Sequence, residues 1–229
     1  MKFKSPLFSE ASGSVGGATF SHNAAGLYVR ARGVPVNPNT PRQQLTRQSL
    51  ALAQATWKDT DANIKAAWSS YAAATPLRDV LGRELYLTGL TMFLRTYVFY
   101  NINSVDPPEQ SPAEPGLAEL TPPTVTWDDT TQKVKVQFAT SDPWASATGG
   151  FLAVFCSLPQ SRSRNYWRGP YVRLGKVPGS ATPPTSPQSF SPPAEILGDM
   201  RLFLRFRAAD SDGRLSAESF SQVDVTPLA

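Results

Sequence analysis

Proline is crowded into one part of this chain. Of its 21 prolines, 15 lie between Pro107 and Pro193. Each proline fixes φ and lacks a backbone donor, so neither a long helix nor a central strand runs easily through it. The second half is therefore predicted to consist of short strands and loops.

The hydrophobic pattern of this half has period two. Val134, Val136 and Phe138 alternate with polar residues, and a longer alternation with arginines runs from Leu202 to Ala208. Residues 151–158 form a nearly continuous apolar strand, and the segment from Tyr171 is another strand candidate. Period-two strands between Pro/Ser/Gly-rich loops predict a small β-sandwich.

Three helices are predicted before the proline-rich half. Thr40, Pro41 and Gln43 form a capping-box start, and Thr88 is the expected cap of the third helix. A β-turn or short hairpin centred on Gly82 should separate the second and third helices. The residues predicted to face the helical core are Leu45, Leu50, Leu52, Ala53, Trp57, Ile64, Ala67, Trp68, Tyr71, Leu90, Phe93, Leu94, Tyr97, Val98 and Asn101.

The first 39 residues are predicted to form an extended β arm. Strands at 19–21 and 27–31, joined by a turn, make a hairpin that is marginal in water alone. It should pair with other strands of this chain or of a neighbour, and both alternatives stay open. The candidate partner-binding side chains are Val15, Phe20, Leu27, Tyr28, Arg30 and Arg32.

The basic excess of the chain lies near its start. Residues 1–47 carry six Lys and Arg against one acid, whereas the rest carries sixteen against seventeen. A basic arm suits an acidic protein surface or nucleic acid. Because no nucleic-acid motif accompanies it, a protein partner is the expected one.

Composition thus divides the chain into four parts. Residues 1–39 are the arm, 40–105 a helical domain, 106–123 a Pro-punctuated linker and 124–229 the sandwich. The predicted fold class is α+β with two domains.

One loop of the sandwich is a candidate ligand or partner site. The segment RSRNYWRGPYVRLG places aromatic rings beside arginines, which suits stacking and contact with anions. The alternative is a loop whose aromatic rings pack on the sandwich edge. The candidate residues are Arg164, Tyr166, Trp167, Arg168 and Tyr171.

No catalytic, metal or cofactor site is predicted. His22, the single histidine, lies in the arm without a nucleophile frame, and Cys156, the single cysteine, lies in a buried-strand pattern. Asp210 and Asp212 fit the chemistry of an Asp-Gly turn better than a calcium site. The apolar runs are too short to span a bilayer, and no signal peptide is evident, so cytoplasmic synthesis is expected.

Two parts of the chain resemble known protein families. The first covers about residues 10–103, where the order of short motifs resembles that of phage and prophage virion proteins. The motifs are, in order, a Gly-rich arm, the strand Tyr28-Val29-Arg30, the segment NPNTPRQQ, a Trp-bearing helix pair, and Leu81-Gly82 and Leu87-Thr88-Gly89 ahead of Phe93. Over 122–227, the segment LFLRFRAADSDGRLSAES and Trp127 resemble a fibronectin type III-like domain, which implies an Ig-like antiparallel sandwich.

The first resemblance implies a non-enzymatic structural part of a tailed-phage particle. Its expected partners are coat or tail proteins and copies of itself, joined by strand addition. A head-associated decoration or cement role is preferred. The alternatives are a tail or baseplate component, or a sandwich that binds carbohydrate or a host surface.

Overall fold

The computed structural model describes residues 12–23, 26–33, 36–78 and 82–227. The first eleven residues of the predicted arm, the hairpin turn at 24–25 and the hairpin tip at 79–81 lie outside these ranges. The chain divides into two compact units, residues 1–41 and residues 42–229. Its secondary structure is mixed α+β with antiparallel sheets.

The first unit contains a three-stranded antiparallel sheet. Its strands are β1 (Gly13–Val15), β2 (Ala18–Asn23) and β3 (Gly26–Ala31), in the order β1-β2-β3. The tight turn between β1 and β2 uses Gly16 with φ +57°, a left-handed conformation that favours glycine. The predicted hairpin is confirmed, and β1 extends it by a strand that the sequence did not indicate.

The first elements of the second unit are helices. They are α1 (Pro41–Asp59), α2 (Ala62–Ala74) and α3 (Gly89–Ile102), with the predicted hairpin β4 (Leu77–Arg78) and β5 (Glu84–Leu85) between α2 and α3. The Thr91 backbone N–H donates to Thr88 Oγ1 at 3.3 Å, so Thr88 caps α3 as predicted. A Cβ on Gly89 would lie 2.5 Å from Ser69 Oγ, so glycine permits the close approach of α3 to α2.

An aromatic core joins the three helices. The Trp68 ring meets Phe93 edge-on with centroids 5.5 Å apart, and Trp57 and Tyr97 lie 5.1 and 5.4 Å from the same ring. The predicted aromatic core is therefore confirmed. Ile64, Leu94 and Val98 pack around it partly buried.

The prediction for α1 was wrong for its leucines. Leu45, Leu50 and Leu52 are 43%, 41% and 51% exposed, whereas Ala53 is buried as predicted, and Ser49 is buried although it was not predicted. Ser49 and Ala53 are four residues apart, so they lie on the same face of α1. Leu90 and Ala67 are also exposed, against prediction.

Two antiparallel sheets follow, an arrangement consistent with a β-sandwich. Their elements are β6 (Thr124–Asp128), β7 (Lys133–Gln137), α4 (Pro143–Ser146), β8 (Phe151–Cys156), β9 (Gln160–Ser161), β10 (Val172–Pro178), β11 (Gln188–Phe190), β12 (Met200–Ala209) and β13 (Ser219–Val225). One sheet has the order β10-β8-β12-β13, with the short strand β9 also paired to β12, and the other has the order β11-β7-β6.

The alternating residues fill the space between these sheets. Val134 and Val136 of β7 are buried with Leu202, Leu204 and Phe206 of β12 in one hydrophobic cluster, as the period-two pattern predicted. Cys156 is a buried free thiol in the same cluster. Trp127 packs against this core partly buried, and its Nε1 donates to Thr226 O at 3.2 Å.

Helix α3 covers the other face of the larger sheet. Phe99 stacks on Phe151 with centroids 5.6 Å apart, and Tyr100 meets the same ring edge-on at 5.1 Å. All six residues of β8 are buried because this strand is covered on both faces. This explains why its sequence is apolar at every position rather than at alternate ones.

The segment predicted as a linker is fastened to its surroundings. Trp68 Nε1 donates to Glu109 O at 3.2 Å, and Tyr71 Oη donates to Gly116 O at 2.9 Å. The Thr121 backbone N–H donates to Asp142 Oδ2 at 2.9 Å. Residues 106–123 thus connect the helices to the strands of the sandwich. They do not separate two compact units, since the helices and the sandwich belong to the same one.

Candidate functional site

A groove of about 620 Å³ opens on the larger sheet, on the same face that α3 covers further along the strands. One side comes from the loop after β9, and the floor comes from β12 and β13. Its lining residues are Asn165, Tyr166, Trp167, Arg168, Tyr171, Phe203, Leu204, Arg205, Glu218, Phe220, Ser221 and Gln222.

The loop is held at its base by one arginine. Arg201 binds Asp224 through two nitrogens, at 2.7 and 3.2 Å, across the β12–β13 pair. Its Nη1 also donates to Arg164 O at 3.2 Å and to Asn165 Oδ1 at 2.9 Å. A side chain anchored in the sheet therefore fixes the start of the groove wall.

Trp167 is fixed within the loop. Its Nε1 donates to Pro170 O at 3.2 Å, and Tyr171 Oη donates to Trp167 O at 3.2 Å. The Arg164 guanidinium lies over the indole, 5.0 Å from the ring centroid. Arg42, at the start of α1, donates to Tyr171 O. These contacts give the aromatic wall a defined position.

Arg205 forms the centre of the floor. Its guanidinium lies 4.6 Å from the Phe155 ring centroid and 5.1 Å from that of Tyr171, and its Nη1 lies 3.3 Å from Glu218 Oε1. The same Glu218 oxygen lies 3.6 Å from Arg207. A single carboxylate is therefore shared by two guanidinium groups.

Burial has shifted ionisation around the groove. It raises the pKa of Tyr171, while nearby Arg205 acts in the opposite direction. Burial also lowers the pKa of Arg207 to about 10, so its guanidinium is still charged near neutral pH. The groove keeps a positive balance, with Arg168 and Arg205 in its lining against Glu218.

The groove also presents exposed aromatic surface. Tyr166 is 70% exposed and Phe220 is 60% exposed, whereas Tyr171 is only 7% exposed. The Phe220 ring lies 6.4 Å from Tyr171. Apolar rings beside cations and amides can contact a ligand that has both a flat apolar face and a negative group.

All the loop residues suggested by sequence come together here. Tyr166, Trp167, Arg168 and Tyr171 line the groove, and Arg164 stacks on its wall. The floor residues Phe203, Arg205, Glu218 and Phe220 were missed because they lie far along the chain. A signal was present in Phe203, which lies between Arg201 and Arg205 on one face of β12.

The arm candidates lie in the small sheet of the first unit, on two faces. Cα partners in an antiparallel pair share a face. Val15 pairs with Ala18, Phe20 with Val29 and Leu27 with His22, so these form one largely apolar face. Thr19 pairs with Arg30 and Ser21 with Tyr28, which places Tyr28 and Arg30 on the opposite face. Tyr28 was expected to anchor together with Phe20 and Leu27, and the register separates them.

Arg32 lies just after β3, and its backbone N–H donates to Gly17 O at 2.8 Å. The side chains of Arg30 and Arg32 are exposed, as are Val15 and His22. Phe20, Leu27, Tyr28 and Val29 are half-buried.

No group of three or more His, Cys, Asp or Glu residues suited to a metal ion occurs in the described ranges. Among those same residues, no helix has the length and apolar character needed to cross a membrane. Comparison of the chain with models of known protein families, with curated proteins and with solved structures gave no match.

Proposed function

We propose that this chain is a non-enzymatic structural protein of a tailed-phage particle, with a head-associated decoration or cement role. It joins neighbouring subunits through the β sheet of residues 13–31. The partners are coat proteins and further copies of the chain. The resemblance of residues 10–103 to virion proteins supplies the particle context, and the small sheet supplies the mechanism.

The observation that carries the proposal is the absence of a core in that sheet. Among residues 12–22, 27–33 and 36–41, whose burial the structure describes, none is buried. Yet Val15, Phe20, Leu27 and Val29 share one face. A small sheet with an apolar face needs a covering surface to become stable. Docking on a neighbouring subunit supplies that surface, and strand addition adds main-chain hydrogen bonds.

The strand arrangement of residues 124–227 supports an Ig/fibronectin III-like assignment. In chain order, β8, β12 and β13 share a sheet as strands C, F and G do in Ig domains, and β6, β7 and β11 share the other as A, B and E do. The fourth major strand, β10, joins the first of these sheets. In the proposed role this rigid part is displayed on the particle while the small sheet holds it there.

The test compares two adjacent residues on opposite faces of β1. Val15→Asp places a charge on the apolar face, whereas Ser14→Asp places the same charge on the polar face. Val15→Asp and deletion of residues 1–36 should each abolish incorporation into purified particles, and Ser14→Asp should retain it. Electron microscopy of the particles locates the bound protein on head or tail.

Three results would contradict the proposal. Full incorporation of the deletion variant would remove the role of the small sheet, and equal loss with both β1 variants would remove its face specificity. Absence of the wild-type chain from particles would remove the structural role itself.

A further inference from the structure

We infer that the groove on β12 and β13 is a binding site for a short acidic saccharide, one that carries a carboxylate on a sugar ring. This inference does not depend on the particle role, because the groove is built entirely from residues 165–222. The argument rests on the shape of the groove, its rigidity, its charge and its donor and acceptor groups.

Shape and size fit a small polar ligand. A volume of about 620 Å³ lies within the roughly 300–1,000 Å³ of ordinary small-ligand pockets. Tyr166 and Phe220 offer exposed rings, which suit the apolar C–H face of a pyranose. Because these rings remain largely exposed, the groove is an open platform rather than an enclosed apolar cavity.

The walls are organised before a ligand arrives. Arg201 ties the loop to β13, and two hydrogen bonds hold Trp167 in the loop. Arg205 is stacked on Phe155 and Tyr171 through the face of its guanidinium. Preorganisation of this kind reduces the entropy lost on binding.

The charge balance selects an anion of low charge. Arg168 and Arg205 line the groove, and the one carboxylate in the lining, Glu218, is shared by Arg205 and Arg207. One ligand carboxylate fits this balance. A phosphodiester chain requires a row of cations that follows its backbone, and Glu218 would repel it.

The remaining polar groups suit hydroxyls. Asn165 and Gln222 carry both donors and acceptors, Ser221 adds a further polar site, and Glu218 accepts. A sugar ring with neighbouring hydroxyls needs such a mixed set. A purely apolar ligand would leave these groups without partners, which costs binding free energy.

The test is a calorimetric titration of the full chain with trigalacturonic acid, sialyllactose and a hyaluronan tetrasaccharide. Maltotriose serves as the neutral comparison. At least one acidic probe should bind about tenfold or more tightly than maltotriose, and the affinity of sialyllactose, which carries one carboxylate, should fall only modestly with salt.

Matched variants separate the groove from the rest of the surface. Tyr166→Ala and Arg168→Ala should each weaken binding about tenfold, as expected for an exposed stacking ring and a binding cation. Tyr86→Ala and Arg78→Ala remove the same residue types at exposed positions outside the groove lining and should bind as the wild type does. Circular dichroism confirms that each variant is folded.

Failure of all three acidic probes to bind at about 10 mM, a concentration that detects even millimolar affinity, would overturn the inference. Unchanged binding by Tyr166→Ala and Arg168→Ala would place the site elsewhere. Equal or tighter binding of tetraglutamate or of oligothymidylate would assign the groove to an acidic peptide or to single-stranded nucleic acid instead.

Discussion

The two antiparallel sheets that carry this protein's candidate sites differ in how far their apolar faces are buried. In the five-stranded sheet, β8 is buried at all six positions, because the second sheet covers one face and α3 covers the other. In the small sheet of the first unit, none of residues 13–22 and 27–31 is buried, although one face is largely apolar. The first sheet is stabilised within the chain, whereas the second has an apolar face that needs cover. Stability and assembly are therefore expected to reside in different residues.

The largest expected effect tests the covered sheet. Phe151 is 1% exposed and contacts Phe99 and Tyr100 of α3. Phe151→Ala should lower the free energy of unfolding by about 3–5 kcal/mol, the usual cost of such a cavity. Urea denaturation followed by tryptophan fluorescence measures this. Phe220→Ala, at a position 60% exposed, is the control and should cost less than about 1 kcal/mol. Similar losses in both variants would contradict the close packing of α3 on this sheet.

The second prediction concerns a buried acid where α3 meets the β12–β13 connection. Tyr100 Oη donates to Asp210 O, and Arg214 Nη2 lies 3.1 Å from Asp210 Oδ2. Neither carboxylate oxygen of Asp210 accepts a hydrogen bond in the described structure. Burial raises the pKa of Asp210 to about 6, and the Arg214 charge offsets only part of this shift.

The sign of the pH effect follows from these values. The folded chain retains the Asp210 proton up to about pH 6, whereas an unfolded aspartate releases it near pH 4. Stability should therefore fall by about 2–3 kcal/mol as the pH rises from 4 to 7. Denaturation at several pH values measures the slope, and Asp210→Asn should remove it. Asp128 and Asp224 have lowered pKa values, so their contributions are lost mainly below pH 4. A slope that persists in Asp210→Asn would contradict this origin.

The strands of the sandwich could be predicted because their spacing directly reflects burial. Leu202, Leu204 and Phe206 alternate with polar residues and enter the core as expected. The continuous apolar run of β8 was recognised as a strand, but the cover on its second face was not. That cover is Phe99 and Tyr100, at the end of a helix more than 40 residues earlier. A local pattern does not say which distant element lies on a sheet.

The failure at α1 has a different cause. Leu45, Leu50 and Leu52 were assigned to its buried face by hydrophobicity, whereas the residues that α1 buries are Ser49, which was not predicted, and Ala53, which was. Leu45 lies one turn before Ser49 on the same face and is nevertheless 43% exposed, and Leu52 is 51% exposed. The groove was also predicted only in part. Its wall was indicated by adjacent aromatic and basic residues, but its floor depends on the register that places Arg205 opposite Phe220.

The smallest expected effect tests the small sheet of the first unit. Leu27 is half-buried on the apolar face of that sheet, so Leu27→Ala removes little buried area. All five tryptophans lie between Trp57 and Trp167, so tryptophan fluorescence reports on residues 42–229 alone. The free energy of unfolding measured in this way should change by less than about 0.5 kcal/mol. Backbone amides of β2 and β3, measured by hydrogen exchange, should be less protected than those of β8 in the wild type.

A loss of unfolding free energy above about 1 kcal/mol in Leu27→Ala would mean that the small sheet contributes to the stability of the second unit. The apolar face would then act within the chain, and the separation between stabilising and assembling residues would fail.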